Sequence, residues 1–123
     1  MDAPFDSSTP LGYLETIGRV SGLPRETEIW FAWEDGAIYL LSGGGLAKDW
    51  IRNFRKSPAV RFRVGETWVS GTARVVEDPE LDLRIRRVVA GKYYGIDPNS
   101  DAPLPNAWSR TAAPVAITLD HGP

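Results

Sequence analysis

Cysteine is missing from all 123 residues, and histidine occurs once, at His121. Disulfides, thiolate metal sites and a thiol nucleophile are therefore excluded, and with a single histidine neither zinc chemistry nor a histidine-based triad has its parts. No metal ligand set is expected, and no chemistry is assigned to His121. Acidic residues are scattered, with no pair spaced for glycosidase chemistry. A basic excess is also lacking: 14 Lys and Arg stand against 16 Asp and Glu, a formal net charge of −2. That balance argues against a dedicated nucleic-acid binder. No apolar run reaches the roughly 18 residues of a membrane helix. The opening MDAPFDSSTP has neither the basic nor the apolar part of an export signal. The expectation is a cytoplasmic chain with no membrane span.

Aromatic residues are plentiful, with five Trp, four Tyr and four Phe beside an overall hydrophobic content of 42%. Large aromatics are costly to expose, and a ligand pocket or a subunit interface uses them. The length suits one domain with a real core. Residues 1–10 read as a loose N-terminal arm and residues 11–123 as the domain.

The stretch from Leu40 to Pro58, LLSGGGLAKDWIRNFRKSP, joins an apolar strand end to three glycines and a short helix. Glycines admit a close ligand, and the helix start behind them offers free N–H groups and a positive dipole end, a geometry that suits anions. Helical spacing places Ala47, Trp50, Ile51 and Phe54 on a core side and Lys48, Arg52 and Arg55 on another. Before it, Leu11 to Ile17 reads as a strand, Ser21-Gly22 as a turn, and Thr27 to Glu34 as an alternating strand closed by the Asp35-Gly36 hairpin signal. The return strand covers Ala37 to Leu41. After it come strands over Val60 to Val64 and Thr67 to Val76, with Gly71 as a bulge or bend. Arg61 and Arg63 read as an exposed strand face. Asp78-Pro79 starts a second helix that should run to about Gly91. The segment IDPNSDAPLPNAWS reads as a long loop of the binding kind, carrying Trp108, and Val115 to Leu119 as the last strand. The fold class is mainly β with some α: a six-stranded antiparallel barrel with two peripheral helices.

In order and spacing, YLETIGRVSGLPRETEIWF, DGAIYLLSGGG, AKDWIRNFRKSPAVRFRVG and GTARVVEDP resemble the split β-barrel flavin and deazaflavin oxidoreductases, above all the deazaflavin-dependent nitroreductase group. The GRxSGxPR turn from Gly18 to Arg25 and the WxxNxxxxP run of Trp50, Asn53 and Pro58 carry most of the likeness. The resemblance implies a homodimer with coenzyme F420, a deazaflavin, or alternatively FMN, in a groove between subunits. It implies that Arg25 of the turn meets the anionic tail, with Arg19 also among the cofactor-binding residues. Ser42, Gly43, Gly44 and Gly45 would lie by the ring and its phosphate side, Lys48 would bind phosphate, Trp50 would wall the groove and Asn53 would hold the loop. Tyr93 and Tyr94 read by default as core or interface aromatics, and the resemblance implies the alternative that they lie over the cofactor as substrate wall or proton donor. The nitroreductases often carry a lysine after the serine and His-Pro before the tryptophan, whereas here Gly43 follows Ser42 and Lys48-Asp49 precedes Trp50. The function implied is hydride transfer to a quinone, nitro compound or activated alkene. The alternative is a non-catalytic carrier of flavin, haem or another amphipathic ligand.

Overall fold

A computed structural model describes residues 2–120, so His121 lies outside the described residues. Seven strands form one antiparallel sheet: β1 (Gly12–Ile17), β2 (Pro24–Ile29), β3 (Ala32–Glu34), β4 (Ala37–Ser42), β5 (Ala59–Val64), β6 (Thr67–Val75) and β7 (Ala113–Leu119). Their order is β2-β1-β5-β6-β7-β4-β3, which leaves β2 and β3 at the two ends of an open, split barrel. Three α-helices accompany them: α1 (Asp49–Lys56), α2 (Pro79–Tyr94) and α3 (Ala107–Thr111).

Helix α1 has only eight residues, too few to persist in water on its own. Trp50, Ile51 and Phe54 hold it in the barrel, packed with Leu14, Phe31, Phe62 and Val115. Removing Ile51 or Phe54 from water contributes about 1.5–3 kcal/mol each. Ala47, expected on that core side, is exposed, because it belongs to a 3₁₀ turn (Gly45–Ala47) before the helix begins. On β4 the alternation serves two cores. Ile38 and Leu40 face the barrel interior, while Tyr39 and Leu41 pack with Ile85 and Val89 of α2.

Four expectations are corrected. The strand read from Thr27 to Glu34 is two strands: β2 pairs with β1 up to Ile29, and β3 pairs with β4 from Ala32. Phe31 and Ala32 are buried in succession, which breaks the alternation that a single strand requires. The second helix runs past Gly91 to Tyr94 and stops at Gly95, the residue that adopts φ 75°. Tyr93 and Tyr94 therefore belong to its last turn. The long loop contains α3, started by a reciprocal capping box in which the Asn106 side chain accepts from the Ser109 N–H. Gly71 is not a bulge, since it pairs in register with Val60 on one side and Leu119 on the other. It is glycine because a Cβ there would lie 2.5 Å from the Thr118 carbonyl oxygen.

The segment read as a loose arm is fastened at three points. Phe5 meets the rings of Phe31 and Trp33 edge-on at 5.8 and 5.5 Å. The carbonyls of Thr9 and Pro10 accept from Lys92 Nζ at 2.7 Å and from the Tyr93 hydroxyl at 2.7 Å. Among the described residues, no helix is long and apolar enough to cross a membrane.

Candidate functional site

Two neighbouring hollows lie beside α1 with Thr27 and Trp50 in the walls of both, and together they make up the candidate groove. The first, about 460 Å³, is polar and lies under the β1–β2 turn, with Arg19, Ser21, Arg25, Asp49 and Asn53 in its wall. The second, about 630 Å³, is aromatic, with Trp30, Tyr94 and Trp108 facing Ser42, Gly43 and Lys48.

The polar hollow is built around Asn53. Its Oδ1 accepts from the Arg19 backbone N–H at 3.1 Å and from Arg19 Nη1 at 2.9 Å, while its Nδ2 donates to Thr16 Oγ1 at 3.2 Å. Asn53 and Thr16 are both buried, so the bond between them forms where water cannot replace it, while the two Arg19 bonds are part-buried. Lys56 Nζ adds a bond to the Arg19 carbonyl at 2.8 Å. Helix α1 thus grips the turn at both ends of Arg19. That residue is itself engaged, with Nη2 on Asp49 at 3.0 Å. Among the described residues the Arg25 side chain has only a long contact, 3.4 Å, to Ser21 Oγ, and it lies exposed in the wall.

The three glycines differ in role. Gly43 lines the aromatic hollow, and a Cβ there would stand 3.1 Å from the Trp108 ring, so the indole lies directly over this backbone. Gly44 lies against the Lys48 side chain, and Gly45, at φ 64°, has nothing near its Cβ direction. Neither of these two appears in the groove wall. Ser42 is buried, and its hydroxyl donates to the Gly45 carbonyl at 2.8 Å, closing the turn. Lys48 lines the hollow at the N-cap of α1, and its side chain makes no hydrogen bond or ion pair among the described residues. Trp50 is 7% exposed and separates the barrel core from the groove.

Tyr93 and Tyr94 part company. Tyr94 reaches the aromatic hollow and is 43% exposed. Tyr93 lies behind the wall. Its hydroxyl accepts from the Phe31 N–H at 2.9 Å and gives its proton to the Pro10 carbonyl at 2.7 Å, with the Phe31 carbonyl at 3.0 Å. Burial also raises its pKa, against a smaller opposing effect of the bond with Phe31. A proton-donor role for Tyr93 does not fit this placement, because its proton is committed to backbone. Lys92 beside it is half-buried, and desolvation lowers its pKa to about 8, with Asp6 pulling the other way.

Arg61 and Arg63 lie away from the groove. Arg61 pairs with Glu15 through two bonds of 2.9 and 3.1 Å and covers Trp68, and Arg63 covers Tyr13 at 4.2 Å. The Arg61 bond lowers the Glu15 pKa.

Sequence reasoning missed Trp30, Leu11, Glu28, Leu41 and Thr16 as wall residues, and left Trp108 open. Trp30 had a signal: a tryptophan on the polar side of an alternating strand is costly to leave in water. Trp108 had another, in the Asn-x-x-Ser start of α3.

Residues 5–103 match the family model described as F(420)H(2)-dependent quinone reductase. Among curated proteins none matches the sequence significantly. A conserved hypothetical protein from Mycobacterium tuberculosis is 28% identical, with a TM-score of 0.76 over 95% of this chain and 77% of its own. A protein described as an F420 reductase is 16% identical, with a TM-score of 0.60 over 98% and 97% of the two chains. The heme storage protein HutZ from Vibrio cholerae is 15% identical, with a TM-score of 0.66 over 93% and 84%. At the last two identities the likeness concerns the fold alone, and one fold serves many functions.

Proposed function

The chain belongs to the F(420)H(2)-dependent quinone reductase family, and from that premise we propose that it reduces an electrophilic small molecule, such as a quinone, nitro compound or activated alkene, with coenzyme F420 rather than FMN. The observation that carries the reading is the adjacency of two hollows that share Thr27 and Trp50 in their walls, one polar with the exposed Arg25 and the other aromatic. That pairing fits a long ligand with an anionic tail and a flat ring. Bound reduced deazaflavin supplies a hydride; the rest is binding, orientation and water exclusion by the chain.

Arg25 and Lys48 hold the anionic groups, because both lack a carboxylate partner among the described residues, whereas Arg19 is taken by Asp49. Asn53 keeps the turn that carries Arg25 in place. Gly43 lets the Trp108 indole lie close against the backbone, where any side chain would meet it. Trp30 and Trp108 exclude water, which strengthens each polar contact inside. Tyr94, which lines the hollow and is 43% exposed, passes its hydroxyl proton to the reduced acceptor. A homodimer completes the groove: β2 is an unpaired sheet end, and Val20 and Leu23 on the adjoining turn are 94% and 59% exposed.

Titration with oxidised F420 and with FMN, followed by turnover of reduced coenzyme with menadione, tests the reading. Micromolar binding of F420 with turnover is expected. Failure to bind F420 refutes the cofactor assignment, and binding without turnover across quinones, nitroarenes and enones makes the protein a carrier. Sedimentation with and without cofactor tests the dimer.

A further inference from the structure

The last turn of α2 carries two neighbouring side chains that hold the same two pieces of chain. Tyr93 joins the Pro10 carbonyl to the N–H and carbonyl of Phe31, and Lys92 Nζ joins the carbonyls of Thr9 and Phe31 at 2.7 and 2.8 Å. Both pieces lead directly into the aromatic hollow. Leu11 follows Pro10, Trp30 precedes Phe31, and Leu11 and Trp30 line the wall while Lys92 and Tyr93 do not.

This clamp replaces a missing ladder. Pairing of β2 ends at Ile29 and that of β3 begins at Ala32, so the corner at Trp30 and Phe31 takes no geometry from a neighbouring strand. Tyr93 and Lys92 satisfy Phe31 instead, and the Tyr93 ring lies flat on the Trp30 indole, centroids 4.2 Å apart and planes 4° from parallel. Trp30 then meets Trp108 edge-on at 5.5 Å. An indole 38% exposed at an unpaired corner would sample several rotamers without that backing.

We propose that Tyr93, with Lys92 beside it, is a positioning residue that sets the width and stacking surface of the aromatic hollow through Trp30 and Leu11, and so selects flat acceptors without touching them. The proposal rests on the reductase reading only for the identity of the acceptor.

The test uses the full chain and Tyr93→Phe, which keeps the stack and deletes the hydroxyl, with Tyr93→Leu deleting both. For Tyr93→Phe, the KM for menadione should rise about tenfold, since small misplacements of a binding wall carry costs of this order. kcat at saturation should stay within about twofold. Tyr93→Leu should also lose the near-ultraviolet circular dichroism of the stacked Trp–Tyr pair, which Tyr93→Phe weakens without abolishing. A tyrosine that only stabilises the fold would leave KM unchanged in the folded variant, and that result overturns the proposal. A fall in kcat at constant KM overturns it too, by placing Tyr93 in the chemistry. If neither Tyr93 variant folds, Lys92→Gln is judged by the same KM criterion. If the wild type neither binds F420 nor turns over, the reductase reading fails separately. The proposal is then decided on the ligand-free protein by menadione quenching of tryptophan fluorescence: affinity weakened about tenfold in Tyr93→Phe supports it, and unchanged affinity overturns it.

Discussion

Replacing Asn53 by leucine removes the grip of α1 on the turn that carries Arg25. Three bonds are lost, those to the Arg19 N–H, to Arg19 Nη1 and to Thr16 Oγ1. The two neutral bonds each contribute about 0.5–1.5 kcal/mol. The guanidinium bond belongs at the low end for a charged donor, because Arg19 keeps Asp49 and stays in reach of water. The expected loss is about 2.5–4.5 kcal/mol, a fall of roughly 10–20 °C in Tm for a domain of this length. Urea denaturation at constant slope measures it. The loss should be local in native-state hydrogen exchange: the Gly18 and Gly22 amides, bonded to Leu23 and Gly18 carbonyls at 2.8 Å, should lose protection while the Ala73 amide does not. Thr16→Val supplies the internal control. Alone it leaves Asn53 Nδ2 bare and should cost about 1–1.5 kcal/mol, but added to Asn53→Leu it should cost close to nothing. A loss below about 0.5 kcal/mol for Asn53→Leu, or full additivity of the two changes, would refute the account of Asn53 as the brace.

Lys48→Ala should leave the urea midpoint unchanged and weaken cofactor binding by about 1.5–3 kcal/mol, read by calorimetric titration; equal affinity in both proteins counts against its phosphate role. Gly71→Ala should destabilise the sheet by about 2–3 kcal/mol, since the new methyl would stand 2.5 Å from a backbone carbonyl that cannot move aside, and a neutral result on thermal melting contradicts that crowding. Lys92 makes stability depend on pH. Its pKa of about 8 in the folded chain lies below the unfolded value of about 10.4, so above pH 8 the unfolded state holds more protons and stability rises with pH. Relative to Lys92→Met, the wild type should therefore gain stability between pH 8 and about pH 10, and parallel curves would show that the lysine titrates normally.

Elements with a local cause were legible in the sequence. The Asp35-Gly36 turn joins β3 and β4, Asp78 caps α2 with its side chain on the Leu81 N–H at 2.9 Å, and the alternation of Val60, Phe62 and Val64 puts all three in the core. Each depends on residues within a few positions. The split between β2 and β3 was not legible, because it depends on which distant strand each half pairs with. The end of α2 was misread at Gly91, since a glycine inside a helix and a glycine that ends one look alike until the packing is known.

For the groove, the sequence by itself determined the inventory: a short basic helix behind three glycines, an arginine-bearing turn, abundant aromatics, and no cysteine or second histidine for other chemistry. Tertiary structure decided which of these residues are free to act. Arg19 and Arg25 are equivalent in the motif, yet among the described residues only Arg19 finds a carboxylate, at Asp49, 30 positions along the chain. Tyr93 and Tyr94 are adjacent in sequence, but the helical turn places one hydroxyl on the Phe31 backbone and leaves the other at the groove. Gly43, Gly44 and Gly45 are identical letters, and only the first lies under Trp108, which a distant capped helix delivers to it. Partners brought together over long separations set these outcomes, and such partners are a property of the folded chain.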